Sequence, residues 1–156
     1  MTPLKTELGH WEYNYKVDIE EWFGFIYCIE NKVTNQFYIG KKQLRHAGKK
    51  KSKTYGKPML WKTYTGSSIA LNSDIKKYRK ENFKFEIIEF YKTKGGLYYA
   101  EAYVQMLSDS MTEYLSDLIT PRSYNRQIAA IRFVPKEHPT KKTKAFVSKL
   151  KKRYIV

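Results

Sequence analysis

The chain has 156 residues, 42% hydrophobic and 29% charged, which suits one folded domain with a real core and excludes both a disordered chain and an ordinary multidomain one. Its 30 Lys and Arg against 15 Asp and Glu leave a formal charge of +15, so a polyanionic partner, nucleic acid first, is expected over an acidic protein or a membrane surface. No run approaches the roughly 20 consecutive apolar residues of a membrane span. The first twenty residues lack the apolar core of a secretory signal, and Cys28 is the one cysteine, so no disulfide framework is expected and a reducing cytoplasm is.

In chain order, residues 1–22 read as an ordered lead-in with Trp11, Tyr13 and Tyr15 and an acidic run at Asp18, Glu20 and Glu21. Phe23 to Glu30 and Phe37 to Lys42 are aromatic and β-branched around the turn formers Thr34 and Asn35, which predicts a β-hairpin. Arg45 to Pro58 is rich in Lys and Gly and reads as a loop. From Lys41 to Ser73 there is no acidic residue, and Lys49, Lys50, Lys51 and Lys53 stand near Tyr55, Trp61 and Tyr64. Cations for phosphates and rings for stacking suit nucleic acid.

Ser67 or Ser68 is placed to cap a helix running to about Lys80, with Ile69, Leu71, Ile75 and Tyr78 inward. Phe83 to Tyr91 predicts a third strand. A second helix follows Gly95 and Gly96, its apolar side formed by Leu97, Ala100, Val104 and Met106 or Leu107. A third helix is expected over Met111 to Ile119, stopped by Pro121, followed by an irregular return from Ser123 to Ile131. Beyond Pro135 the chain reads as a basic tail.

Side chains two apart share a strand face, so Phe25, Tyr27 and Ile29 lie together, as do Tyr38, Gly40 and Lys42. If the register pairs these faces, Tyr27, Tyr38 and Lys42 converge, and Gly40 lets another group approach the backbone closely.

At this point the sequence resembles the GIY-YIG nucleases. The residues are Gly24-Phe25-Ile26-Tyr27 and Tyr38-Ile39-Gly40, with a downstream helical glutamate, Glu101, and a late asparagine, Asn125. Tyr64-Thr65-Gly66-Ser67-Ser68 resembles an element of phage-type homing members. The resemblance spans about Phe23 to Asn125 and implies an α/β fold, a small three-stranded antiparallel sheet flanked by helices, here with a basic C-terminal tail. It divides the chain into the lead-in 1–22, a nuclease domain 23–131 and the tail 132–156 as a candidate DNA-binding helix.

The activity implied is metal-dependent hydrolysis of DNA phosphodiesters, double-stranded DNA being the expected partner and Mg²⁺ or Mn²⁺ the cofactor. No obligate protein partner is expected, and a phage-encoded enzyme would act in the host cytoplasm. Glu101 belongs to the inward side of its helix, where an unpaired carboxylate is costly. A divalent cation would offset that cost, and so would a lysine or a tyrosine hydroxyl. Tyr27 matches the catalytic tyrosine, with Tyr38 as its partner or alternative. A phenol near pKa 10 needs a cation nearby to ionise at neutral pH; Lys42 is on the right face for this, and Lys41, by alternation on the other, is second choice. Arg45 and His46 are candidates for holding the phosphate and for proton transfer, although Arg45 follows the second motif sooner than the family's arginine does and the first glycine stands one place early. Tyr64 is expected beside the site, and Asn125 to steady it. The rival from another class is a catalytically inactive nucleic-acid-binding protein on the same fold. Glu101 separates the two, because phosphate binding alone gains nothing from an inward carboxylate.

Overall fold

The computed structural model describes residues 7–46, 50–53 and 55–153. Strands β1 (Gly24–Asn31), β2 (Phe37–Gln43) and β3 (Phe83–Tyr91) form an antiparallel sheet in the order β2-β1-β3. Helices α1 (Ile69–Tyr78), α2 (Lys94–Leu107) and α3 (Lys141–Lys152) flank it. Every residue of β1 is buried, as befits the central strand.

The two sheet faces carry separate cores. One joins Phe25, Tyr27 and Ile29 of β1 to Phe85, Ile87 and Phe90 of β3, and is covered by Leu8 and Trp11 of the N-terminal segment, Trp61, and Leu71 of α1. The other joins Ile26, Cys28 and Ile39 to Leu97, Ala100 and Val104 of α2 and to Val147 and Leu150 of α3. A register shift in the β1–β3 pairing at Ile26/Tyr27 leaves Ile87 in the first core and Ile88 in the second. An extra residue in one strand of a pair produces this switch of faces.

Thr93 caps α2 by accepting from the Gly96 amide, and Ser68 caps α1 by accepting from the Leu71 amide. In α1, Leu71 is buried as expected, but Ile69, at the first position of the helix, is 89% exposed. Met106 and Leu107 are exposed as well, so the apolar side of α2 ends at Val104.

Two expectations are corrected outright. Residues 111–119 form turns in place of a helix. Asp117 accepts from the amides of Ile119 and Thr120, Leu118 takes φ 59°, and Leu118 and Ile119 are exposed; a local side-chain turn wins where no apolar face is there to be buried. Trp61, read as a stacking ring, is 7% exposed and belongs to the core, its carbonyl accepting from the Trp11 indole at 2.8 Å.

The basic C-terminal segment is the packed helix α3. Buried Glu89 accepts from the Thr140 amide at 3.1 Å, from the Thr140 hydroxyl, and from the Thr143 and Tyr91 hydroxyls at 2.6 and 3.0 Å. A carboxylate at a helix N-terminus complements its unpaired amides. Glu137, the single acidic residue beyond Pro135, accepts from the amides of Lys92 and Thr93 at the start of α2.

Candidate active site

β2 is an edge strand, and how its outer edge is covered decides where a site can form. Along its first half, Phe37 donates to the Arg122 carbonyl at 3.0 Å and accepts from the Tyr124 amide at 2.8 Å. Asn125 then imitates a backbone: its Oδ1 accepts from the Ile39 amide at 2.9 Å and its Nδ2 donates to the Ile39 carbonyl at 2.8 Å. Gln105 of α2 donates to the same carbonyl at 3.0 Å. The peptide groups just before Gly40 are thus fixed from two elements.

Past that point side chains from both sheet faces reach round β2 into one hollow of about 260 Å³. The observed register sets Tyr27 opposite Gly40 and Phe25 opposite Lys42. A Cβ on Gly40 would fall on the Tyr27 hydroxyl, 2.5 Å from its Cζ and 2.9 Å from Tyr38 Cε1. The group that approaches the Gly40 backbone is therefore the Tyr27 phenol. Tyr27 is 1% exposed, with the rings of Tyr38 and Tyr64 centred 6.1 and 6.2 Å from its own. Gly66 (φ 82°) closes that side, where a Cβ would lie 3.2 Å from the Tyr27 hydroxyl.

From the other face, Lys41 Nζ lies 2.9 Å from Glu101 Oε1, with the two side chains 24% and 14% exposed. Lys41 also lies over the Tyr98 ring, 4.3 Å from its centre. Tyr27, Tyr38, Lys41, Lys42, Tyr64 and Glu101 all line the hollow.

Burial pushes the Tyr27 phenol well above its ordinary pKa, with Tyr38, Tyr64 and Glu101 adding to the rise. The sequence reading expected an ammonium to lower it; the phenol is instead among rings, while Lys42 lies over Tyr64 at 4.5 Å from the ring centre and burial lowers the pKa of its ammonium. Lys41, second choice on strand alternation, is the lysine that meets the glutamate, because alternation places it with Ile39 on the face that α2 covers.

Arg45 and His46 are not brought to this hollow. Arg45 Nη2 lies 2.5 Å from Glu20 Oε2 and lines a different hollow with Trp61 and Lys62. The His46 backbone pairs with Lys57 and Gly56. Lys50, Lys51 and Lys53 are exposed in the loop, and Lys49 lies outside the described residues. Sequence reasoning missed Tyr98 and Gln105, three residues before and four after Glu101, although that spacing places them on one face of α2.

The sheet order, the tyrosine pair and the helical glutamate define a small α/β domain of the GIY-YIG type. The chain belongs to that family: residues 10–128 match the family model described as "Putative endonuclease segE, GIY-YIG domain". It is also similar to "Putative endonuclease segC" of Enterobacteria phage T4, 26% identical over 125 residues, which cover 80% of this chain and 52% of the relative. The chain therefore spans about half the length of that relative. No solved structure matches it significantly. No helix among the described residues is long and apolar enough to cross a membrane.

Proposed function

We propose that the chain is a DNA endonuclease that hydrolyses phosphodiester bonds of duplex DNA with the help of Mg²⁺ or Mn²⁺, of the phage homing or DNA-degrading type. The observation that carries the reading is Glu101, a helical carboxylate in one hollow with Tyr27, Tyr38, Lys41 and Lys42.

The residues fit a hard cation. Among the described residues there is no group of three or more His, Cys, Asp and Glu to hold a metal, so the protein would offer the single carboxylate of Glu101. Mg²⁺ commonly takes one or two carboxylates and completes its shell with water and substrate phosphate. Such an ion would polarise the phosphoryl oxygen and offset charge developing in displacement.

The chain's own groups have separable tasks. Tyr27, fixed against Gly40 and held neutral by burial, holds its hydroxyl beside the phosphate and takes a proton from the attacking water as its own O–H proton leaves. Lys42, which lines the same hollow and whose ammonium burial disfavours, is the amine to receive that O–H proton. Lys41 balances the Glu101 carboxylate while no substrate is present and is free to turn to phosphate once the carboxylate is otherwise engaged. Asn125 and Gln105 keep the Ile39–Gly40 backbone from moving.

The test is incubation of supercoiled plasmid with the purified chain in Mg²⁺, Mn²⁺ or EDTA. Nicked and linear products only with a divalent ion are expected. Tight DNA binding without cleavage under every condition would replace this reading with the inactive scaffold, in which Lys41 permanently neutralises Glu101.

A further inference from the structure

We propose that a second hollow beside Glu101 is a phosphate subsite, in which Arg126 grips the DNA backbone next to the bond being cut. The inference rests on the endonuclease reading and adds to it a residue that neither the motif nor the family match assigns. The hollow measures about 470 Å³ and shares Tyr38, Lys41, Ser67 and Glu101 with the one that holds Tyr27. A strand lying in one runs directly into the other.

Arg126 is the single arginine among the residues lining these two hollows. The neighbouring cations are already engaged, Lys41 by Glu101 and Lys42 by the Tyr64 ring. Arg45, the sequence candidate for a phosphate clamp, is tied to Glu20. Arg126 has no carboxylate partner among the described residues. Its Nη1 donates to the carbonyls of Ser123 and Asn125 at 2.7 and 2.8 Å, which fix the guanidinium and leave its full charge uncompensated.

The anchoring backbone is the segment whose Asn125 side chain clamps Ile39, one residue from Gly40. The guanidinium is thereby held in a set relation to the open edge of β2. A planar fork pre-positioned in this way, with donors to spare, suits bidentate capture of a phosphate.

The test uses full-length Arg126→Gln and Arg126→Lys with a fluorescent mixed-sequence duplex, titrated in EDTA over a salt series, and single-turnover plasmid cleavage in Mg²⁺. For Arg126→Gln, the slope of log K against log salt should flatten by about 0.9, one phosphate contact. Affinity at low salt should fall about tenfold, with cleavage slowed by at least as much. Arg126→Lys should keep the slope and cleave more slowly, because an ammonium cannot hold two oxygens in a plane. Wild-type slope and wild-type rate in both variants would overturn the subsite, as would failure of the wild-type chain to bind the duplex at all. Where Arg126→Gln melts well below wild type, the lysine variant decides, and a lost slope there would make the effect structural and overturn the proposal. A wild-type chain that binds but never cuts would end the endonuclease reading alone, since the salt slopes still decide the subsite.

Discussion

Replacing Gly40 with alanine probes the packing on which the site depends. The added Cβ would stand 2.5 Å from Tyr27 Cζ and 2.9 Å from Tyr38 Cε1, where carbon atoms settle at about 3.5–4.0 Å. The Tyr27 ring must therefore retreat by about 1 Å. It has little room, because Trp11 packs on it with ring centres 4.8 Å apart and the backbone of Ile39 is clamped. Overpacking of this kind costs about 1–3 kcal/mol, which for a chain of this length is a fall in Tm of about 2–12 °C. Displacing a reacting group by about 1 Å costs on the order of 10²-fold in rate. Calorimetry and single-turnover plasmid cleavage measure the two effects. In the double variant with Tyr27→Phe, part of the lost Tm should return, because the hydroxyl under the new Cβ is gone while Cζ still has to move. Gly40→Ala with wild-type Tm and wild-type cleavage would refute the close approach of Tyr27 to Gly40.

Tyr27→Phe alone keeps the ring and should leave the fold intact while slowing cleavage by about 10²–10⁴-fold, as expected for loss of a proton-transferring group; normal turnover in a folded variant would remove Tyr27 from the chemistry. Truncation after Pro135 removes Val147 and Leu150, 4% and 1% exposed, at about 1.5–3 kcal/mol each. It also strips Glu89 of its partners on Thr140 and Thr143. Against a total stability of about 5–15 kcal/mol, thermal melting should show a severely destabilised or unfolded product, and a wild-type melt would contradict the packing of α3. Burial, reinforced by the charge of Lys80, lowers the pKa of His10 from 6.5 to about 4, so the unfolded chain binds that proton more tightly. The stability contribution is complete above about pH 6.5 and is lost as pH falls toward 4. His10→Phe, which preserves the stack on Phe85, should flatten the acid limb of stability against pH, and an unchanged limb would place the acid sensitivity elsewhere.

Much of the architecture was written in local pattern. The alternation of Phe25, Tyr27 and Ile29 and of Tyr38, Gly40 and Lys42 defines a hairpin and its facing residues, and the register agrees. β3 runs from Phe83 to Tyr91, as its apolar residues indicate. What escaped the sequence depends on contacts between distant segments. The docking of α3 rests on Glu89 meeting Thr140 and Thr143, more than fifty residues away. The withdrawal of Arg45 rests on Glu20, which reads alone as part of an acidic surface run. Alternation correctly put Lys41 and Lys42 on opposite faces, but at an uncovered edge both faces open into the same hollow. The expected helix over residues 111–119 failed for a local reason, since the side chain of Asp117 competes for the amides a helix would have used.

Glu101→Gln puts the account to its most direct test. The amide keeps the shape of the side chain and its place on α2 but abolishes the charge that Lys41 faces at 2.9 Å. Duplex binding in EDTA and single-turnover cleavage in Mg²⁺ are to be measured on the same preparations of wild type and variant. The account predicts affinity within a few fold of wild type and loss of divalent-dependent cleavage, because the carboxylate serves the transition state more than ground-state binding. Near-normal Mg²⁺-dependent cutting by a folded Glu101→Gln would contradict it.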